Sequence, residues 1–95
     1  MIKDVDISQK NDYIEWLSNW FSKKVNLPSD AYSRNFFKED WLDSFTTVEL
    51  IVDIETMLNI TLQDSHLQDA RFSNILGLSE LLHEIKSEVN LTYDN

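Results

Sequence analysis

WLDSFTTVELIVDIE, residues 41 to 55, decides how this chain folds. At about 100° per residue, Thr47, Leu50, Ile51, Ile54 and Leu58 fall within roughly 50° of one direction, as the buried face of a helix does. Phe45, Val48 and Val52 gather about a second direction roughly 150° away. One helix cannot turn both sets into the same core. The spacing predicts a helix over residues 44 to 58 with the first set inward. The second set then either forms a protein-binding face or lies under the preceding loop. Glu49 and Thr56 flank this second stripe, and Glu55 lies on its other side.

The helix mouth carries a second feature. Asp43 is a good N-cap, which places Ser44 in the first turn, beside backbone amides that have no partner within the helix. Those amides and the helix dipole favour an anion, so a phosphate ester on Ser44 would sit in a favourable field. Aspartate and serine also cap helices for purely structural reasons. Thr46 and Glu49 match a capping box as well, which would start the helix two or three residues later.

Composition narrows the classes. The 95 residues suit one domain, spanning 1–95 with a core from about 11 to 89. An apolar fraction of 42% is enough to build that core, so global disorder is disfavoured. Without cysteine, disulfides, thiolate metal sites and thiol catalysis are excluded. One glycine and one proline are too few for a chain of many tight turns, which disfavours an all-β fold. The net charge of −9 would be repelled by phosphate backbones and anionic lipid, arguing against nucleic-acid and membrane partners, and would attract basic protein surfaces. The opening MIKDVDISQKND lacks the apolar run of a signal peptide, and nothing later approaches a membrane span, so a soluble, cytoplasmic chain is expected.

The remaining periodicity is helical. In DYIEWLSNWFSKKV the residues Ile14, Leu17, Phe21 and Val25 share a stripe, with Trp20 beside it, and Pro28 disfavours helix at Leu27. A long connection to Trp41 follows, with Phe36 and Phe37 expected to anchor it to the core. One or two helical turns are expected around Ser65 to Ala70. A last helix places Ile75, Leu78, Leu82, Ile85 and Val89 on one face, with Ser73 or Asn74 capping it. Residues 1 to 8 and 91 to 95 read as loosely held ends. The expected fold is all-α: three main helices and one short one in a small four-helix bundle.

LDSFTTVELIVDIETMLNITL resembles the acyl carrier protein family at the motif that accepts the 4′-phosphopantetheine arm. The matching steps are Asp43-Ser44-Phe45, Val48-Glu49-Leu50, Ile54-Glu55 and Ile60-Thr61-Leu62. Asp64 stands where the family often has an acid, FSNILGLSELL resembles its fourth-helix entry, and NFFKEDW its phenylalanine-bearing approach to the serine. The resemblance covers about residues 11 to 89 and implies a four-helix bundle of acyl-carrier type with a long loop between helices 1 and 2. It also implies that a phosphopantetheinyl transferase moves the arm from coenzyme A to the Ser44 hydroxyl. The arm's thiol would carry an acyl or aminoacyl group as a thioester, so the reactive sulfur comes with the group.

On this resemblance the chain is a carrier and a substrate of other enzymes, monomeric and not itself an enzyme. A loading ligase and downstream transferases or synthases would join the phosphopantetheinyl transferase as partners. Phe45, Val48 and Val52 would make apolar contacts with them, while Asp43, Glu49 and Glu55 steer their basic surfaces. Three departures stand out. Trp41 occupies a position commonly glycine, which would set a large ring beside the attachment site among the partner-binding residues. Thr46 and Thr56 replace acids typical of primary fatty-acid carriers, and Phe45 replaces leucine. These point to a stand-alone carrier in a specialised pathway, polyketide, nonribosomal or related. The alternative is an unmodified acidic helical interaction module. A hydrolase on Ser44 would need a nearby histidine base, and His66 and His83 match neither that role nor a metal signature.

Overall fold

A computed structural model describes the backbone of residues 10–93 and the side chains of residues 11–88. Among the described residues four α-helices follow in order: α1 (Lys10–Ser22), α2 (Ser44–Leu58), α3 (Asp64–Leu67) and α4 (Ile75–Tyr93). A single 3-10 turn, Ala31–Ser33, lies in the connection between α1 and α2. No strand occurs among the described residues. The all-helical bundle is therefore as expected.

Tyr13, Leu17, Trp20 and Phe21 are buried on α1, a helical stripe that faces the other elements. Ile14 and Val25, expected on this stripe, are only half-buried. Tyr13 takes the inner place instead, its ring edge-on to His83 of α4 at 6.0 Å. Val25 falls outside because α1 stops at Ser22, where the amides of Lys24 and Val25 both donate to the Phe21 carbonyl at 2.9 Å. Helix α1 packs most extensively against α4, and the 3-10 turn also lies on α4.

The two adjacent phenylalanines of the long connection diverge. Phe36 is fully buried, stacks on Phe21 at 5.2 Å, and donates its amide to the Ser73 carbonyl at 2.8 Å. Phe37 remains exposed and lies flat against Phe72 on the outside. Only Phe36 is a core anchor. The turn closes through the Trp41 amide, which donates to the Phe36 carbonyl at 3.0 Å, with Asp40 left-handed at φ 62°. Left-handed backbone at an aspartate is tolerated better than at most side chains.

Helix α3 is one turn long and lies slightly earlier than the expected Ser65 to Ala70. Helix α4 buries Ile75, Leu78, Leu81, Leu82 and Ile85, while the hydroxyl of fully buried Ser79 donates to the Ile75 carbonyl at 2.7 Å. Of the two cap candidates it is Asn74 that accepts, from the Gly77 amide at 2.6 Å. The Val89 side chain, residues 1 to 8 and residues 94 to 95 lie outside the described residues, whereas the backbone of residues 91 to 93 continues α4. Buried apolar side chains from Tyr13 to Ile85 form one cluster to which all three long helices contribute.

Candidate functional site

Helix α2 begins at Ser44, with Asp43 as its N-cap in extended backbone geometry (φ −103°, ψ −173°). The Asp43 Oδ1 accepts the Thr46 amide at 2.8 Å, and the Asp43 amide donates to the Thr46 Oγ1, also at 2.8 Å. Thr46 is thus the third residue of the helix and the second half of a capping box, not the start of the helix. The Thr46 amide, then its hydroxyl, holds the Asp43 carboxyl below the usual aspartate range. Thr47 is tied to the same residue, its hydroxyl donating to the Asp43 carbonyl at 2.6 Å.

This cap leaves Ser44 as the first helical residue, exposed to solvent. Its hydroxyl has no hydrogen-bond partner among the described residues, while Asp43 Oδ1 accepts from both the amide and the hydroxyl of Thr46. A free primary hydroxyl at a helix mouth is a sterically open acceptor for group transfer. The two histidines have their contacts elsewhere: His66 accepts the Gln63 amide at 3.0 Å within its own turn, and His83 is an exposed residue of α4 that meets the Tyr13 ring. Among the described residues no cluster of three or more metal-ligating side chains occurs.

The two faces of α2 separate as the periodicity requires. Leu50 and Ile54 are fully buried, whereas Phe45, Val48 and Val52 are 75%, 58% and 50% exposed. The long connection therefore does not cover the second stripe. Thr47 and Ile51, at the edge of the inward set, are half-buried.

The acids around this stripe are occupied by the chain itself. The Glu49 carboxylate pairs with Lys24 Nζ at 3.2 Å. Glu55 Oε2 accepts the Leu62 amide at 2.8 Å and so clamps the segment that leaves α2. Asp53 accepts the indole N–H of Trp20 at 2.8 Å. Trp41 does not stand free beside the serine: it is half-buried, with its ring tilted against Phe21 at 6.2 Å. The site thus assembles Asp43, Ser44, Phe45, Val48 and Val52 on one exposed surface, and gives Glu49, Glu55 and Trp41 contacts within the chain.

Lys24, Trp20 and Asp53 were not legible as neighbours of this surface, since their partners lie far off in sequence. Lys86 is a further case. Its Nζ donates to the Leu58 carbonyl at 2.8 Å, placing a cation at the negative end of α2. Among the described residues no helix is long and apolar enough to cross a membrane. Compared with protein-family models, curated proteins and solved structures, the chain finds no match in any of the three.

Proposed function

We propose that this protein is a carrier of acyl or aminoacyl groups, tethered through 4′-phosphopantetheine on Ser44. The observation that supports this reading most is an exposed, unpartnered Ser44 hydroxyl next to an exposed apolar stripe on the same helix. The residues present fit the group. A phosphodiester requires an accessible hydroxyl, and the first-turn amides of α2 favour the negative charge that such an ester brings. When bound, the group supplies the thiol that this cysteine-free chain lacks, and holds its cargo as a thioester.

The remaining work falls to the chain's own side chains. Ser44 offers its hydroxyl oxygen to the pyrophosphate of coenzyme A held with magnesium in a phosphopantetheinyl transferase. As the serine ester forms, the bond to adenosine 3′,5′-bisphosphate breaks and the hydroxyl proton passes to the transferase. Asp43 and Thr46 keep the first turn in register, so that the hydroxyl points outward from a rigid element. Phe45, Val48 and Val52 form the surface on which the transferase, a loading ligase and downstream synthases dock in turn. A carrier needs only transient affinity, and a small apolar stripe suits that. The departures at Trp41, Phe45, Thr46 and Thr56 favour a specialised pathway.

Incubation with coenzyme A, magnesium and a broad-range phosphopantetheinyl transferase tests this reading. Intact mass spectrometry should show one phosphopantetheinyl addition, lost in Ser44→Ala. That variant should stay folded, its stability changed by about 0.5 kcal/mol or less, as expected for an exposed position. Addition elsewhere, or none with several transferases, overturns the proposal and leaves an acidic interaction module.

A further inference from the structure

Three side chains that the carrier reading does not use form a chain of contacts along one edge of the stripe. Asp53 of α2 accepts the indole N–H of Trp20 on α1 at 2.8 Å and so holds that ring against the helix pair. Lys24, in the turn after α1, lies over the same ring with Nζ 4.7 Å from its centroid. From this shelf Nζ reaches the Glu49 carboxylate at 3.2 Å. The cation is thus held by two attractions, one to the ring face and one to the carboxylate.

We infer that Lys24 is an intramolecular competitor for the cation of a docking partner. The inference rests on reading the exposed face of α2 as the docking surface. A chain of net charge −9 selects partners with basic surfaces. Glu49 lies beside Val48 and Val52, where a lysine or arginine next to an apolar pocket would come to rest. That partner finds Glu49 already paired and must displace Lys24 before it can pair in turn. Lys24 thereby lowers affinity for basic surfaces in general and favours partners that also fill the apolar stripe. Lys23, one residue earlier and exposed, carries the same charge but makes no ion pair with this acid, and serves as the control.

The test titrates a hexa-arginine peptide into the full chain at low salt, following the amide resonances of Val48, Glu49 and Val52. Lys24→Met keeps much of the apolar stem on Trp20 and removes the cation. It should bind the peptide about two- to fivefold more tightly than the wild type, the range expected for one partly exposed pair. Lys23→Met, which alters net charge equally, should gain less. In a Glu49→Gln background the Lys24→Met gain should shrink to that of Lys23→Met. Equal gains for the two lysine variants, or a Lys24→Met gain that persists without Glu49, overturn the inference. Modification of Ser44 separates the two ideas. A chain modified at Ser44 without the Lys24→Met gain keeps the carrier reading and loses the competitor. A chain never modified that shows the Glu49-dependent gain keeps the competitor and loses the carrier.

Discussion

The indole nitrogen of Trp20 lies 2.8 Å from the Asp53 carboxylate, joining α1 to α2 across 33 residues of sequence. Trp20 is only 8% exposed, so loss of this acceptor leaves a nearly buried N–H without its partner. Asp53→Ala should cost about 1–3 kcal/mol, and Asp53→Asn, which keeps an acceptor oxygen, clearly less. Urea melts and the Trp20 indole proton resonance check this. Equal losses for the two variants, with an unmoved resonance, would show that the bond contributes nothing.

The opposed faces of α2 predict opposed mutational effects. Ile54→Ala opens a cavity in the core and should cost about 2–5 kcal/mol. Val52→Ala, two residues away on the exposed face, should change stability by about 0.5 kcal/mol or less while weakening transfer to partner enzymes. Similar drops in melting temperature for both variants would refute the assignment of faces.

Gly77 is the only glycine, and it sits where α4 begins beneath the turn at Arg71. A methyl group there would stand 2.7 Å from the Arg71 carbonyl oxygen and 3.0 Å from the Asn74 Oδ1 that caps the helix. Alanine is better than glycine in a helix by about 1 kcal/mol, yet overpacking against backbone costs about 1–3 kcal/mol. Gly77→Ala should therefore destabilise on balance. A raised melting temperature would show that the turn yields easily.

Acid should loosen the hold of that same turn on the middle of α4. Arg71 binds Asp69 at 3.0 Å and Glu84 at 3.0 Å, and its bonds to the Asp69 carboxyl hold that group down at about 2. The Glu84 carboxyl is lowered too, again chiefly by hydrogen bonding from Arg71. A folded value below the unfolded one means stability that is complete above the ordinary aspartate value of 3.8 and is lost as pH falls toward 2. Arg71→Met should flatten the fall in melting temperature between pH 5 and 2, a window that spans those two values. An unchanged slope would mean that other carboxylates dominate acid unfolding.

Helix α2 was legible from the sequence in its span and its two faces, though two capping patterns competed for its start, because its limits are local. Asp43 caps it through a residue three positions away, and the apolar spacing separates its two sides without reference to anything else. Helix α1 was less legible. Its stripe was displaced toward Tyr13 because the helix stops at Ser22, before Val25 can join the row. The Phe36-Phe37 pair could not be resolved at all, since two adjacent aromatic residues give no sign of which one turns inward. Phe36 does, because its amide reaches the Ser73 carbonyl from a remote segment.

What the sequence determined by itself was what depends on neighbours along the chain: helices, a capped serine at a helix mouth, a two-sided α2, an excess of acid. Tertiary structure decided which acids remain available. Glu49, Asp53 and Glu55 look alike as charges on one helix, yet one faces Lys24, one holds the Trp20 indole and one clamps the Leu62 amide. Two of these partners come from α1 and the turn behind it, more than twenty residues earlier. Periodicity gives a side chain's direction around its own helix axis. It carries no information about what another segment brings to meet it, and that meeting is settled only when the helices pack.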